Sequence, residues 1–232
     1  MGNYLVIGGS SGIGRALTNE LSAAGNHVFC TYNKHEVDEP VSNVSYSKLD
    51  VTDSDPDFSF VPDSLDGLAY CPGTINLLPF ARIKPEAFID DYQVQVIGAI
   101  KSIQGVLSQL KKGTSPSIVL FSTVAVQSGF NFHSQVAASK GAIEGLTRAL
   151  AAEFAPIIRV NAIAPSLVNT PLAGRFINNE EKEKANAERH PLKRIGDPQE
   201  IAKLASFLLS SDSSWMTGQV ITIDGGISTI KS

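Results

Sequence analysis

A glycine-rich turn near the start of the chain constrains the fold more than any other feature. Residues 4–7 are an apolar run of strand formers, and an apolar helical period starts at Ala16. Between them stand Gly8, Gly9, Ser10, Ser11, Gly12, Ile13 and Gly14. A strand, a glycine turn and a helix in this order direct free backbone N–H groups and a helix N-terminus at a pyrophosphate. We therefore expect a dinucleotide to bind here; a flexible turn without a ligand is the alternative.

Strand and helix patterns alternate along the whole chain without an intervening linker. The alternation predicts an α/β fold, a doubly wound parallel sheet of the Rossmann type with helices on both faces. A length of 232 residues suits one dinucleotide-binding domain over residues 1–232.

Two segments differ from this regular alternation. Residues 53–63 contain aspartates and prolines but no helical period, so we expect the crossover after the third strand to lack a full helix. Residues 178–188 are strongly charged and predict a solvated surface helix.

Composition excludes several classes of partner. The formal net charge of −4 argues against nucleic acid or an anionic membrane as the main partner. Residues 1–3 lead directly into the first strand pattern, so no signal peptide is predicted, and no apolar run is long enough to span a bilayer. Cys30 and Cys71 each end an apolar strand pattern, which favours buried reduced thiols over a disulfide or a metal site. We expect a cytoplasmic protein that holds no metal.

Further motifs follow apolar strand patterns later in the chain. They are Asp50 and Val51 after the third apolar stretch, Cys71, Pro72 and Gly73 at the end of the run that begins at residue 68, Val168 and Thr170 after residues 161–165, and Asp224, Gly225 and Gly226 after residues 220–223. In order and spacing, these motifs and the glycine turn resemble the short-chain dehydrogenase/reductase family over essentially the whole chain.

The resemblance implies a role for each motif and an assembly. Asp50 and Val51 would flank the adenine, the turn of Cys71, Pro72 and Gly73 would support the nicotinamide side, and Val168 and Thr170 would hold the carboxamide. It also implies a homotetramer or dimer built on helices near residues 97–110 and 142–154. Ala142, Gly145 and Ala149 recur there at helical spacing and permit close helix packing, although the same face could pack only inside the subunit. At residues 178–188 the resemblance implies a mobile substrate lid, for which a plain surface helix is the alternative.

The resemblance also identifies a catalytic segment that departs from the family. Thr123 stands where a serine would donate to the substrate carbonyl, and Gln95 replaces an asparagine that anchors a water relay. Lys140 matches the lysine that holds the nicotinamide ribose, and Val136 stands where a tyrosine would deliver the proton. The Thr123 hydroxyl could equally bond the local backbone.

The missing phenol removes the usual proton source. Hydride transfer to a carbonyl leaves an alkoxide, which a tyrosine activated by a nearby ammonium can protonate and a valine cannot. His133 lies seven residues before Lys140, the spacing at which enoyl reductases of the wider family place their tyrosine. If the helix extends back a turn, His133, Val136 and Lys140 share one face. The alternative is an exposed loop histidine between Phe132 and Ser134.

The end of the second strand pattern indicates which cofactor binds. NAD-selective relatives end this strand with an acidic residue that binds the ribose 2′-hydroxyl. Here residues 28–31 are followed by Tyr32, Asn33 and Lys34, and no carboxylate comes before Glu36. This favours NADP over NAD. Against it, Ser11 stands where many NADP-using relatives carry an arginine, and Lys34 could be a solvated loop residue.

Two functions of different classes follow. The first is an NADP-dependent oxidoreductase acting on a carbonyl, an alcohol or an activated double bond of a small or acyl substrate. It would use Thr123 and Lys140, with His133 or an ordered water as the proton source. The second is a cofactor-binding protein without turnover, such as a structural or regulatory subunit.

Overall fold

The strands of this chain are short and mostly apolar, because both faces of a parallel sheet are covered by helices. A computed structural model describes residues 1–34 and 41–230, so Glu36 lies outside the described residues. The strands are β1 (Asn3–Ile7), β2 (His27–Tyr32), β3 (Val44–Lys48), β4 (Gly67–Tyr70), β5 (Ser117–Phe121), β6 (Arg159–Pro165) and β7 (Val220–Ile223). They form one parallel sheet in the order β3-β2-β1-β4-β5-β6-β7. The predicted doubly wound fold is confirmed.

Helices cover the two faces of the sheet and bury one hydrophobic layer on each. They are α1 (Gly12–Ala23), α2 (Pro85–Tyr92), α3 (Gly98–Gly105), α4 (Leu107–Leu110), α5 (Ala125–Ser128), α6 (Ser134–Phe154), α7 (Glu180–Glu188) and α8 (Pro198–Leu209). One face carries α1 and α8, and the opposite face carries α3 and α6. None of these described helices is long and apolar enough to cross a membrane.

The two irregular segments follow their sequence patterns. Within the described chain, the connection between β3 and β4 contains no helix, as expected from its aspartates and prolines. The charged segment forms α7, which is mostly exposed and is capped where the Asn179 side chain accepts from the Lys182 N–H. The helix prediction is confirmed to within two residues at its start.

A π-helical turn joins α2 to α3. Residues Gln93–Ile97 form this turn, so the helical run continues through it from Pro85 to Gly105. Such turns insert one extra residue into a helix and are frequent at functional sites. Here the turn carries the fully buried Gln95 towards α6.

A buried arginine at the start of β6 binds the C-terminal end of α8. The Arg159 guanidinium donates to the carbonyl oxygens of Leu208 (3.0 Å), Ser210 (2.9 Å) and Ser213 (3.1 Å) and to the Ser213 hydroxyl (2.7 Å). These carbonyls include the last ones of α8, which have no partner inside the helix. A cation at this end of a helix also interacts favourably with the helix dipole.

We predict that Arg159→Met lowers the free energy of unfolding by roughly 3 kcal/mol, because a hydrogen bond to a charged group contributes about 1.5–3 kcal/mol and the variant loses all the bonds that the guanidinium donates to this helix end. Arg82→Met is the matched control, because Arg82 is exposed, and should change stability by less than about 0.5 kcal/mol. Chemical denaturation of both variants measures the difference. Equal effects would show that the guanidinium does not anchor α8.

Candidate functional site

The glycine turn has the backbone geometry that a phosphate site requires. Gly8 and Gly12 have positive φ values of 73° and 52°, which favour glycine. A Cβ on Gly14 would lie 2.2 Å from the Gly8 carbonyl oxygen. Helix α1 begins at Gly12, and its N-cap residue Ser11 makes no side-chain capping bond. The first N–H groups of α1 are therefore available to an anion, which fits the pyrophosphate of a dinucleotide.

Residues that were predicted to bind the adenosine part of a dinucleotide lie at the ends of β2 and β3. Tyr32 is half-buried at the end of β2, while Asn33 and Lys34 are exposed beyond it. The Asp50 carboxylate follows β3 and accepts from the Thr52 hydroxyl (2.6 Å) and the Thr52 N–H (2.9 Å). The Thr52 hydroxyl, with smaller contributions from Asn33 and the Lys34 charge, lowers the pKa of Asp50. Asn33, Lys34 and Asp50 are thus brought together, and Val51 is buried beside them.

A second cation, Arg15, lies on the same side of the sheet and was not among the sequence-predicted residues. Burial raises the pKa of Cys30 to about 11 and raises that of Tyr46, and the Arg15 charge opposes both shifts. The guanidinium therefore lies near the strands β2 and β3 that carry these two side chains. An arginine directly after the last glycine of the turn was the signal that could have indicated it.

A cavity of about 280 Å³ opens beyond the carboxyl ends of the central strands. It collects most of the residues predicted for the nicotinamide and catalytic sides. These are Ile13, Cys71, Gly73, Thr123, His133, Val136, Lys140, Val168 and Thr170. Pro72 does not line the cavity; its ring lies against the Gly8 backbone of the glycine turn. The other predicted cofactor residues lie outside this cavity: Gly8, Ser10, Ser11, Gly12, Gly14, Tyr32, Asn33, Lys34, Asp50 and Val51.

Lys140 points into the cavity above a buried carboxylate. Asp91 at the end of α2 is only 3% exposed. It accepts from the Gln95 amide (2.8 Å), from the Ser139 hydroxyl (2.6 Å) and from the Thr74 hydroxyl. Burial lowers the pKa of Lys140 to about 8, while the negative charge of Asp91 opposes the shift. Asp91 therefore keeps an ammonium in a site where desolvation alone would favour the neutral amine.

Gln95 fills the position where the family resemblance expects an asparagine. Its amide nitrogen is bound to Asp91, while its buried Oε1 has no hydrogen-bond partner in the described chain. A Cβ added to Gly73 would lie 3.5 Å from this oxygen and 3.8 Å from the Lys140 ammonium nitrogen. An acceptor without a donor therefore faces the cavity next to the lysine.

Two neighbouring hydroxyls at the end of β5 have different partners. The Ser122 hydroxyl donates to the buried carboxylate of Glu144 at 2.8 Å. The Thr123 hydroxyl instead accepts from the Ala125 N–H at 3.3 Å, a local backbone bond. Since an accepting hydroxyl keeps its own hydrogen, Thr123 can still donate into the cavity that it lines.

The wall near Lys140 is apolar at the position where the family resemblance would place a tyrosine. Val136 is 5% exposed and lines the cavity, and no tyrosine of the described chain does so. Helix α6 begins at Ser134, with His133 as its N-cap, so it does not extend back a full turn. His133 still lines the cavity; its Nδ1 lies 2.8 Å from the Asn131 carbonyl oxygen and its ring contacts Phe130.

Asp91, Ser166 and His190 are among the polar residues of the site that lay outside the sequence predictions. Asp91 follows Asp90 on a short helix, so nothing in the pattern distinguishes it from a solvated residue. Ser166 directly follows the strand pattern that ends at Pro165, and this position was the available signal for it. His190 lines the same cavity from the segment after α7 and is 4% exposed.

The chain is similar to known proteins over almost its whole length. The sequence profile of a family described as enoyl-(acyl carrier protein) reductase matches residues 8–228. A 2,5-dichloro-2,5-cyclohexadiene-1,4-diol dehydrogenase from Sphingobium indicum is 32% identical over 241 residues, covering 97% of this chain and 96% of that protein.

Solved structures give the same result. A short-chain dehydrogenase family protein from Francisella tularensis is similar with a TM-score of 0.90 at 32% identity, covering 99% of this chain and 100% of that chain. The structure of ElxO with NADP bound has a TM-score of 0.87 at 28% identity, covering 98% of this chain and 99% of that chain. Together with the seven-stranded parallel sheet, these likenesses show that the chain belongs to the short-chain dehydrogenase/reductase family of oxidoreductases.

Proposed function

We propose that this protein is an NADP-dependent oxidoreductase that acts on a carbonyl, an alcohol or an activated double bond of a small or acyl substrate. The observation that carries the proposal is the single cavity that joins Thr123, Lys140 and Thr170 beside the glycine turn. The cavity lining is mainly apolar, with a few hydroxyl, imidazole and cationic groups, as in small-molecule sites. When bound, the dinucleotide supplies or accepts a hydride.

Each part of the dinucleotide has residues suited to hold it. The N–H groups at the start of α1 suit the pyrophosphate, and Asp50 with Val51 suits the adenosine end. The Lys140 ammonium suits the nicotinamide ribose hydroxyls, and Val168 with Thr170 suits the carboxamide. The positive φ values of Gly8 and Gly12 and the close approach of Gly14 to Gly8 support this assignment, because they leave room for a ligand against bare backbone.

The charges at the end of β2 support NADP over NAD. Tyr32 takes the place of the acidic residue that would repel a 2′-phosphate. Lys34 is exposed beyond it, and the Arg15 charge lies on the same side of the sheet. The structurally similar ElxO holds NADP. Asp50 offsets part of the Lys34 charge, so we expect a preference rather than an exclusion.

We predict that Lys34→Ala weakens NADPH binding about fivefold to tenfold and leaves NADH binding nearly unchanged, because only NADPH carries a 2′-phosphate. Lys112→Ala removes the same charge from an exposed position elsewhere and should affect neither cofactor. Calorimetric titration of both nucleotides measures the dissociation constants. An equal loss for NADPH and NADH would show that Lys34 does not contact the phosphate.

The charge state of Lys140 sets a pH limit on cofactor binding. Its pKa is lowered to about 8 by burial, so the ammonium is present below that pH and is lost above it. If the ammonium binds the ribose, affinity falls as the pH rises through this value.

We predict that the NADPH dissociation constant rises about tenfold between pH 7 and 9, since roughly one lysine in eleven stays charged one pH unit above its pKa. Lys140→Met should bind weakly at every pH and show no such step. Asp91→Asn should move the step to lower pH, because the carboxylate charge raises the pKa of Lys140. A flat wild-type profile would contradict ribose binding by the ammonium.

A second function is favoured by one observation, the apolar side chain of Val136 in the cavity wall. A divergent family member without a proton donor would hold the cofactor and not turn over. Such a protein would serve as a structural or regulatory subunit. If the protein is an oxidoreductase, the proton that Val136 cannot supply must come from another group, such as His133 or an ordered water.

We predict that Val136→Tyr reduces cyclohexanone and an acetoacetyl thioester with NADPH much faster than a nearly inactive parent. The rate should exceed the residual rate of the parent by about a hundredfold or more. The new hydroxyl would enter the cavity between Thr123 and Lys140. Val136→Phe is the control, because it adds the same ring without a proton. A parent that already reduces these probes supports the enzyme, whereas an inert parent rescued only by tyrosine supports the subunit.

An assembly into dimers or tetramers is also part of the proposal. Gly145 and Ala149 are exposed on α6, and nothing lies within 4 Å of a Cβ built on Gly145. This exposed small-residue face supports a contact with a second copy rather than packing inside the subunit. Cys30 and Cys71 are free thiols, which supports a reducing compartment such as the cytoplasm.

A further inference from the structure

A serine and a histidine form a hydrogen-bonded pair in the wall of the cavity. The Ser166 Oγ lies 2.9 Å from Nε2 of His190, and both side chains line the same cavity as Thr123, Val136 and Lys140. Ser166 directly follows the last residue of β6 and is half-buried. His190 is 4% exposed, so its ring is held in place by the surrounding protein.

The partners of His190 determine which of its nitrogens carries hydrogen. Nδ1 lies 2.8 Å from the carbonyl oxygen of Asn186. A carbonyl can only accept, so Nδ1 must be the donor in that bond. Nε2 is then the nitrogen that exchanges a proton with Ser166. In the neutral ring it accepts from the Ser166 hydroxyl, and in the cationic ring it donates to that oxygen.

Ser166 lies one strand away from Thr123, the residue expected to bind the substrate oxygen. Phe121 of β5 pairs with Ile163 of β6, and the Val124 N–H donates to the Pro165 carbonyl at 3.2 Å. Thr123 and Ser166 therefore stand at the ends of adjacent strands, which run about 4.8 Å apart. Both residues line the same cavity, so a substrate oxygen bound between them would receive its proton from Ser166.

We propose that Ser166 and His190 together supply the proton that a valine at position 136 cannot supply. The inference rests on the function proposed above, with bound NADPH as the two-electron reductant. A hydride adds to the carbonyl carbon, and the C=O π pair moves onto the oxygen. The Ser166 hydroxyl proton then forms the new O–H bond, and the Nε2 proton of His190 replaces it on Oγ. His190 becomes neutral and regains a proton from water, and NADP⁺ leaves.

The surroundings of His190 suit this role better than those of His133. The Asp224 carboxylate lies close enough to His190 to interact with it, and the Asn186 carbonyl holds its Nδ1 hydrogen. Both rings hold Nδ1 against a backbone carbonyl, but only His190 bonds a hydroxyl of the cavity through Nε2; the Nε2 of His133 bonds no described residue. A fixed relay loses less activity to misorientation than a half-buried ring at a helix start.

The test compares single turnovers of NADPH with cyclohexanone and the acetoacetyl thioester of N-acetylcysteamine. The variants are Ser166→Ala, His190→Gln and the double variant, with Ser166→Thr to restore the hydroxyl and His133→Ala as the rival donor. His27→Gln is the matched control, because His27 is exposed at the start of β2. NADPH dissociation constants and ring-nitrogen NMR of the histidines are measured alongside.

Three results together support the relay. Ser166→Ala and His190→Gln each slow hydride transfer about a hundredfold or more, and the double variant is no slower than the worse single, as for groups that act as one unit. Ser166→Thr restores most of the rate, while NADPH binding changes less than twofold. Ser166→Ala also shifts the Nε2 resonance of His190 in the protein without nucleotide, which the hydrogen bond itself requires.

Other results overturn the relay and separate it from the parent proposal. An active wild type with unimpaired Ser166→Ala and His190→Gln variants overturns the relay and leaves the oxidoreductase function standing. A loss confined to His133→Ala overturns it in favour of His133. A wild type that binds NADPH but reduces neither probe overturns the oxidoreductase function and the relay with it.

Discussion

The parallel direction of all the strands is the constraint on which the site depends. Because the carboxyl ends of parallel strands meet at one edge, the segments after β1, β4, β5 and β6 converge there. Gly8 and Ser166 are the first residues beyond β1 and β6, and Thr123 and Gly73 lie two and three residues beyond the ends of β5 and β4. Backbone pairing fixes their spacing, as the bond from the Val124 N–H to the Pro165 carbonyl shows. No loop has to fold separately to bring them together.

The lysine in this site depends on a charge that lies beneath it. An ammonium in an apolar wall loses hydration, which lowers its pKa, and a nearby carboxylate offsets part of that loss. Asp91 can fill this role only because three donors from separate segments hold its oxygens: Thr74, Gln95 and Ser139. The π-helical turn contributes by carrying Gln95 to the carboxylate. A buried charge without such donors would be costly to keep.

The features that could be predicted from sequence are those with a local physical cause. The glycine turn is recognisable because positive φ and close backbone approach leave few residues other than glycine, and the strands are recognisable because burial on both faces requires continuous apolar runs. Lys140 and Val136 were placed through the family resemblance, and both do line the cavity.

The missed residues owe their burial to contacts distant in sequence. Asp91 is covered because α2 packs against α6, and an acidic pair at a helix end gives no sign of this. The partner of His190 lies 24 residues earlier in the chain, so neither residue indicates the pair alone. His133 would share a helix face with Val136 and Lys140 only if α6 extended back a turn. The helix instead begins at Ser134, with His133 as the N-cap, whose carbonyl accepts from the Ala137 N–H.

The position of the proton donor affects how chemistry is coupled to substrate binding. A phenol at position 136 would stand on α6, a helix of 21 residues that packs on the sheet and has little freedom to move. The pair of Ser166 and His190 instead takes its orientation from α7, because the Asn186 carbonyl that fixes the histidine tautomer belongs to that exposed helix. Any displacement of α7 would therefore release Nδ1 and uncouple Nε2 from the Ser166 hydroxyl. In a protein that uses this relay, the orientation of the proton donor therefore depends on the position of α7. A donor on α6 would not depend on it.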